Sequence, residues 1–373
     1  MKVLVLFISL ALAAGSLSPQ INNPDKPIKG PWDLKMKKIW ETKSAGPHIF
    51  AEIQNIEAAD DGRVYVLDAK NFQVYIFDKD GKYISAFGKK GEGPGEFRTV
   101  HMGRQLFVIQ DRLIFLERGR LHFFSLEGRY QRTAVYPAQF RPRVFVSPHL
   151  FISAPVTVDD PRQRETPITL YNLKTRQSKE IARFQPFDRA TATESGGGQQ
   201  VTVAIVIGEI TPLMELTYRD NNIYYGMTNQ YRIHIADIDG KIVGQFGIPD
   251  RQPVKVSKGF LNELKEQLKD VPGEFLKRIL DGLPPNASYF SSISVGARGE
   301  IYTFISDPDS KSGKRIDVFS PQGRYMYGTG FQIPKDHTLS TSQLKDDRLF
   351  TASEDEEGNI ILTAYRLHLP LFD

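Results

Sequence analysis

The chain has no cysteine among its 373 residues, which excludes a disulfide framework, zinc held by thiolates and a lipid-anchored N-terminal cysteine. Neither sign of charge dominates. Lys and Arg number 48 against 44 Asp and Glu, a net +4 that is too thin to announce a nucleic-acid partner or a membrane surface. Long apolar runs are lacking beyond the N-terminus. The run Val3 to Ala14, broken only by Ser9, would rise about 18 Å as a helix where a bilayer core needs about 30 Å, so no permanent membrane span is expected. A composition of 40% apolar and 25% charged residues excludes disorder and collagen.

What the N-terminus does carry is the pattern of an export signal: Lys2, the apolar run, then Ala11-Leu12-Ala13 as small residues for a peptidase. The reading is a signal peptide over residues 1–13 cut near Ala13, a flexible mature segment over 14–31, and one folded body over 32–373. The mature protein is expected in the periplasm or outside the cell.

Repeats organise that body. A tight turn feeding a β-branched and aromatic strand occurs at Asp61-Gly62, Gln110-Asp111, Pro148-His149, Asp220-Asn221, Arg298-Gly299 and Glu357-Gly358. A second turn follows in five of these units, at Asp80-Gly81, Glu127-Gly128, Lys174-Thr175, Asp239-Gly240 and Gln322-Gly323. Each unit is then a four-stranded antiparallel meander, and meanders repeated radially cover one another's faces as propeller blades. The expectation is an all-β, six-bladed β-propeller. Its last unit lacks chain for an outer strand, which the segment Trp32 to Thr42 would supply, removing the open edge.

Blade one carries a resemblance. Tyr65-Val66-Leu67-Asp68, Asn71, Val74 to Asp78, the turn Asp80-Gly81-Lys82, Phe87-Gly88 and Gly91 to Phe97 look like an NHL repeat. Blades four and five keep a looser version. The resemblance implies an NHL-like six-bladed propeller and says little about function, because folds of this kind serve many functions.

Long insertions are expected at 88–100, 156–167, 185–200, 248–288 and 306–315, all between strands b and c or between blades, hence all on one face. That face is the candidate binding face. The insertion between blades four and five holds a small helical pair over about 257–282, with Ser257 as a cap and leucines on one stripe. Arginines cluster toward the same face: Arg98, Arg118, Arg120, Arg141, Arg143, Arg162 and Arg164. Their planar forks suit a carboxylate, sulfate or phosphate. The expected partner is therefore a peptide, a glycan or a protein, with no nucleic acid, and the protein acts as a monomer.

Catalysis is the competing class: a metal-assisted lactonase or lyase at the channel mouth, using calcium or zinc. His48, His101 and His337 each precede an innermost strand in neighbouring blades and are its candidate ligands, although no tight H-x-E-x-H spacing supports them. His122 and His234 occupy equivalent positions two blades apart and cannot share an ion. Asp68 and Asn71 read as backbone-bonding turn residues, with calcium binding as the sharper alternative. The preferred reading has no cofactor and no catalytic residue.

Overall fold

The computed structural model describes residues 19–100, 103–154, 165–185, 191–196, 199–204 and 209–369. The segment read as a signal peptide, residues 1–13, lies outside them. Six four-stranded antiparallel sheets form the blades of a propeller. Blades one to five run, from strand a to strand d, over Ile53–Phe87, Leu106–Val135, Pro142–Phe184, Met214–Gly247 and Phe290–Gln332. In blade six, strands a to c are Thr338–Lys345, Arg348–Glu354 and Ile360–Leu367, and Met36–Thr42 pairs antiparallel with the last of these as strand d.

The ring is closed by packing as well as pairing. Six apolar clusters are buried, each between one pair of neighbouring blades. Strand b of blade one shows how the sequence achieves this: Val64, Tyr65, Val66 and Leu67 are all fully buried. Val64 and Val66 face blade six, while Tyr65 and Leu67 face blade two. A strand covered on both faces reads as a continuous apolar run, since the period-two alternation directs residues to two different cores.

Glycine in the c–d turns has a packing reason. Gly81, Gly128 and Gly323 adopt positive φ, and a Cβ there would lie 2.5, 2.5 and 2.7 Å from Trp40, Phe87 and Phe246 respectively. Each of those aromatics comes from strand d of the preceding blade. Trp40 thus seats the closing strand on blade one, where its indole N–H also donates to the Lys79 carbonyl at 3.2 Å. The turn residue and the aromatic of the neighbour form one repeated contact around the outer ring.

Two expectations need correction. The Glu357-Gly358 turn joins strands b and c of blade six, and the true a–b turn is Asp346-Asp347, with Asp346 left-handed at φ 52°. Within 14–31, read as flexible, the part from Gln20 onward is tied down. Gln20–Asn22 pairs in parallel with Gln245–Gly247 at the outer edge of blade four. The buried Asn23 donates to the carbonyls of Gly247 (3.2 Å) and Gly323 (2.9 Å) and accepts from the Tyr325 N–H at 2.8 Å. The segment then crosses blade five, where the Trp32 N–H donates to Gly328 O at 2.8 Å.

The helical pair consists of α1 (Lys258–Gln267), capped by Ser257, and α2 (Gly273–Asp281). It lies between blades four and five as expected. Leu264 and Ile279 are its buried anchors, and α2 packs on the strand Thr191–Gly196 of the preceding insertion.

Candidate functional site on the loop-rich face

No a–b or c–d turn exceeds five residues, whereas the opposite end carries 88–105, 154–165, 185–213, 248–289 and 306–312. These excursions hold one another. Ser257 Oγ donates to Asp309 at 2.6 Å, and Lys311 pairs with Glu263 at 2.7 Å.

In blades one to four the entry of the inner strand is fixed by a polar side chain at or just after the end of strand b. Asp68, fully buried, accepts from the N–H groups of Ala51 (2.8 Å), Glu52 (3.2 Å) and Asn71 (3.1 Å), and from the Asn71 amide (3.0 Å). Glu117 accepts from the Arg98 N–H at 2.6 Å and the Thr99 N–H at 3.4 Å in blade two. Ser153 serves the Arg141 N–H at 2.8 Å, and Thr228 the Leu213 N–H at 2.9 Å. Buried backbone donors must find acceptors, so these residues rigidify the rim that carries the loops. Both oxygens of Asp68 are occupied by N–H donors.

The sequence-predicted arginines separate into three groups. Arg98 folds back on Glu117, with Nε 3.4 Å from its carboxylate. Arg143 turns inward, where Nη2 donates to Met214 O at 3.0 Å and lies 3.4 Å from Glu215. Arg162 and Arg164 lie outside the described residues. Arg118, Arg120 and Arg141 remain, and among the described residues none of them has a carboxylate partner.

These three sit where blade two hands over to blade three. Arg118 and Arg120 flank Gly119, whose carbonyl accepts from the Tyr136 N–H at 3.1 Å, and the Tyr136 hydroxyl donates to Glu117 O at 2.8 Å. Burial raises the Tyr136 hydroxyl above its usual range, while the positive charges of Arg141 and Arg118 oppose that rise, so both guanidinium groups lie within electrostatic reach of one phenol. Burial also lowers the Arg141 pKa, with the Arg143 charge adding to it. An exposed guanidinium that has no carboxylate partner among the described residues is a site that an anion improves.

Further ion pairs lie on or beside the innermost strands. Arg104 forks onto the buried Glu57 at 2.7 and 3.0 Å, and Arg219 reaches Val295 O (3.4 Å) and Asp346 (3.2 Å). Burial pushes the Glu215 carboxyl above the ordinary range against the pull of Arg143 and Arg104. Nothing in the linear spacing brings Arg104 to Glu57 or Arg143 to Glu215, so sequence reasoning missed these pairs.

Among the described residues the histidines do not converge. His48 packs 5.4 Å from the Tyr75 ring and 6.0 Å from Tyr83, His337 Nδ1 is 3.2 Å from Ser353 Oγ, and His101 lies outside the described residues. His122 bonds Glu117 at 3.2 Å and His234 stacks on Tyr225 at 5.2 Å. Among the described residues no three His, Asp or Glu side chains are spaced to hold a metal ion. A separate open cavity of 340 Å³ on blade one is lined by His48, Ile49, Asn71, Gln73 and Tyr75.

Comparison with known proteins agrees with the fold. A family model described as a 6-bladed beta-propeller, DUF5128, matches residues 41–145. Among solved structures, a DUF4221-family protein from Bacteroides vulgatus is similar at 11% identity and TM-score 0.54, covering 90% of this chain and 99% of its own. A candidate exported protein from Bacteroides fragilis is similar at 14% identity and TM-score 0.52, with coverage of 94% and 99%. A virginiamycin B lyase from Staphylococcus aureus, at 12% identity and TM-score 0.40, covers 90% of this chain and 100% of its own and is too distant to inform function. No curated protein matches the sequence.

Proposed function

We propose that this chain is an exported, non-catalytic recognition propeller that takes a carboxylate-bearing peptide or glycan on its loop-rich face, through Arg118, Arg120 and Arg141. The observation that carries the reading is that these three arginines keep no carboxylate partner among the described residues, while Arg98, Arg104, Arg143 and Arg219 are each engaged with an acid. A rigid rim under long loops supplies the pre-organisation that recognition needs. Export is read from the Lys2 to Ala13 pattern, with the Bacteroides fragilis neighbour as support for the same reading. Blade one is read as an NHL-type unit from its Tyr65 to Phe97 motif.

The test is retention on surfaces bearing polygalacturonate and oligoglutamate, whose two arms separate glycan from peptide as the source of the carboxylate. The wild-type chain is expected to bind one of them, and the R118E/R120E/R141E variant to lose roughly tenfold or more, the loss of one charge-assisted contact. Unchanged retention of the variant would remove the arginines from the account.

A further inference from the structure

We propose that the 340 Å³ cavity on blade one is a second ligand site that takes an uncharged sugar ring, a monosaccharide or the end of a glycan, independently of the arginines. Its chemistry differs from theirs. The five lining side chains are two carboxamides, a phenol, an imidazole and an aliphatic group, with no carboxylate, ammonium or guanidinium among them. Such a lining carries no permanent charge to select an ionised ligand, and its volume falls at the small end of ligand cavities, about 300 to 1,000 Å³.

The polar groups are set in place. Asn71 Nδ2 donates to Ile49 O at 3.2 Å and to Asp68 at 3.0 Å, and lies 3.2 Å from the Tyr75 hydroxyl. This fixes the amide plane. Neither the Asn71 Oδ1 nor the Gln73 carboxamide has a hydrogen-bond partner among the described residues. Between them Phe72 is held at φ 55°, a left-handed conformation that L side chains rarely adopt. Its ring is packed into the core between blades one and two, with the Lys90 ammonium 5.5 Å above it. Backbone strain of this kind, about 1–3 kcal/mol, persists when the surroundings fix it, and here it leaves both flanking carboxamides to the cavity.

A small apolar edge adjoins these polar groups. Ile49, 78% exposed, sits on a short hairpin, Ser44–Ala45 with His48–Ile49. Beside it the His48 ring is braced by Tyr75 and Tyr83. A pyranose presents an apolar C–H face and a rim of hydroxyls that both donate and accept. Carboxamides, which also do both, bond such a rim, and a flat imidazole beside an isoleucine covers the C–H face.

The test uses the full chain with the methyl glycosides of glucose, galactose, mannose, N-acetylglucosamine and glucuronate, followed by saturation-transfer NMR and by the Ile49 methyl resonance. At least one glycoside is expected to shift that methyl, with Gln73→Ala and Ile49→Ser each weakening binding at least fivefold. The R118E/R120E/R141E variant should bind the glycoside as the wild type does, so failure of the arginine reading leaves this one standing and the reverse holds. The proposal is overturned if no glycoside shifts the Ile49 methyl, if both cavity variants bind unchanged, or if only glucuronate binds there.

Discussion

Replacing Asp68 by alanine tests how the rim is held. The substitution removes four hydrogen bonds to a fully buried carboxylate and leaves the N–H groups of Ala51, Glu52 and Asn71 without their acceptor. Each bond to a charged acceptor contributes about 1.5–3 kcal/mol net, but Ala51 and Glu52 are near enough to solvent for water to replace part of this, giving about 3–5 kcal/mol in all. An unfolding entropy of about 2.1 cal/mol/K per residue gives about 0.75 kcal/mol/K for a chain of this size, so the melting temperature should fall by about 5 °C. Asp68→Asn keeps one carbonyl acceptor and should fall by about half as much. Circular-dichroism melting measures the shift, and amide hydrogen exchange at Ala51 and Glu52 locates it. A melting point within about 1 °C of wild type, with both amides still protected, would refute the capping role.

Two further perturbations address closure and charge. Gly81→Ala places a Cβ on the Trp40 ring at a position with φ 81°, so it should cost about 2 kcal/mol or more, read as a lower denaturant midpoint; an unchanged midpoint would mean that Trp40 does not seat the closing strand. At Glu117, burial pushes the pKa up, but the His122 contact and the Arg98 and Thr99 N–H groups outweigh it and bring it below the usual 4.5. A depressed carboxylate contributes stability that is present above about pH 4.5 and lost as pH falls through its folded value. Melting curves from about pH 3 to about 6 should therefore show a shallower acid limb in Glu117→Gln, and an identical limb would contradict the assignment.

Most of the ring is legible in the sequence because its turns announce themselves. Asp78 and Asp237 accept from backbone N–H groups of their own turns, each completed by a left-handed glycine. The same local chemistry misled the reading of blade six. Asp355 accepts from the Glu357 and Asn359 N–H groups in the same way, yet its turn joins strands b and c. Turn chemistry is local and does not record which strands it connects. The real a–b turn at Asp346-Asp347 has no glycine to mark it.

The rim segment Gln20–Asn22 was missed for a related reason. Three residues laid in parallel on a sheet edge show no periodicity. For the arginines, the sequence puts Arg118, Arg120 and Arg141 on the loop-rich face but cannot separate them from Arg98 and Arg143. That division depends on Glu117 and Glu215, and Glu215 lies on another blade, 72 positions from Arg143.

In the proposed function, recognition uses the end of the propeller bearing the long connections. Hydrogen exchange with and without oligoglutamate or polygalacturonate measures this directly. Added protection is expected at 118–120 and 136–141, while protection confined to the short turns at 59–63, 110–111 and 148–149 would contradict recognition at that end.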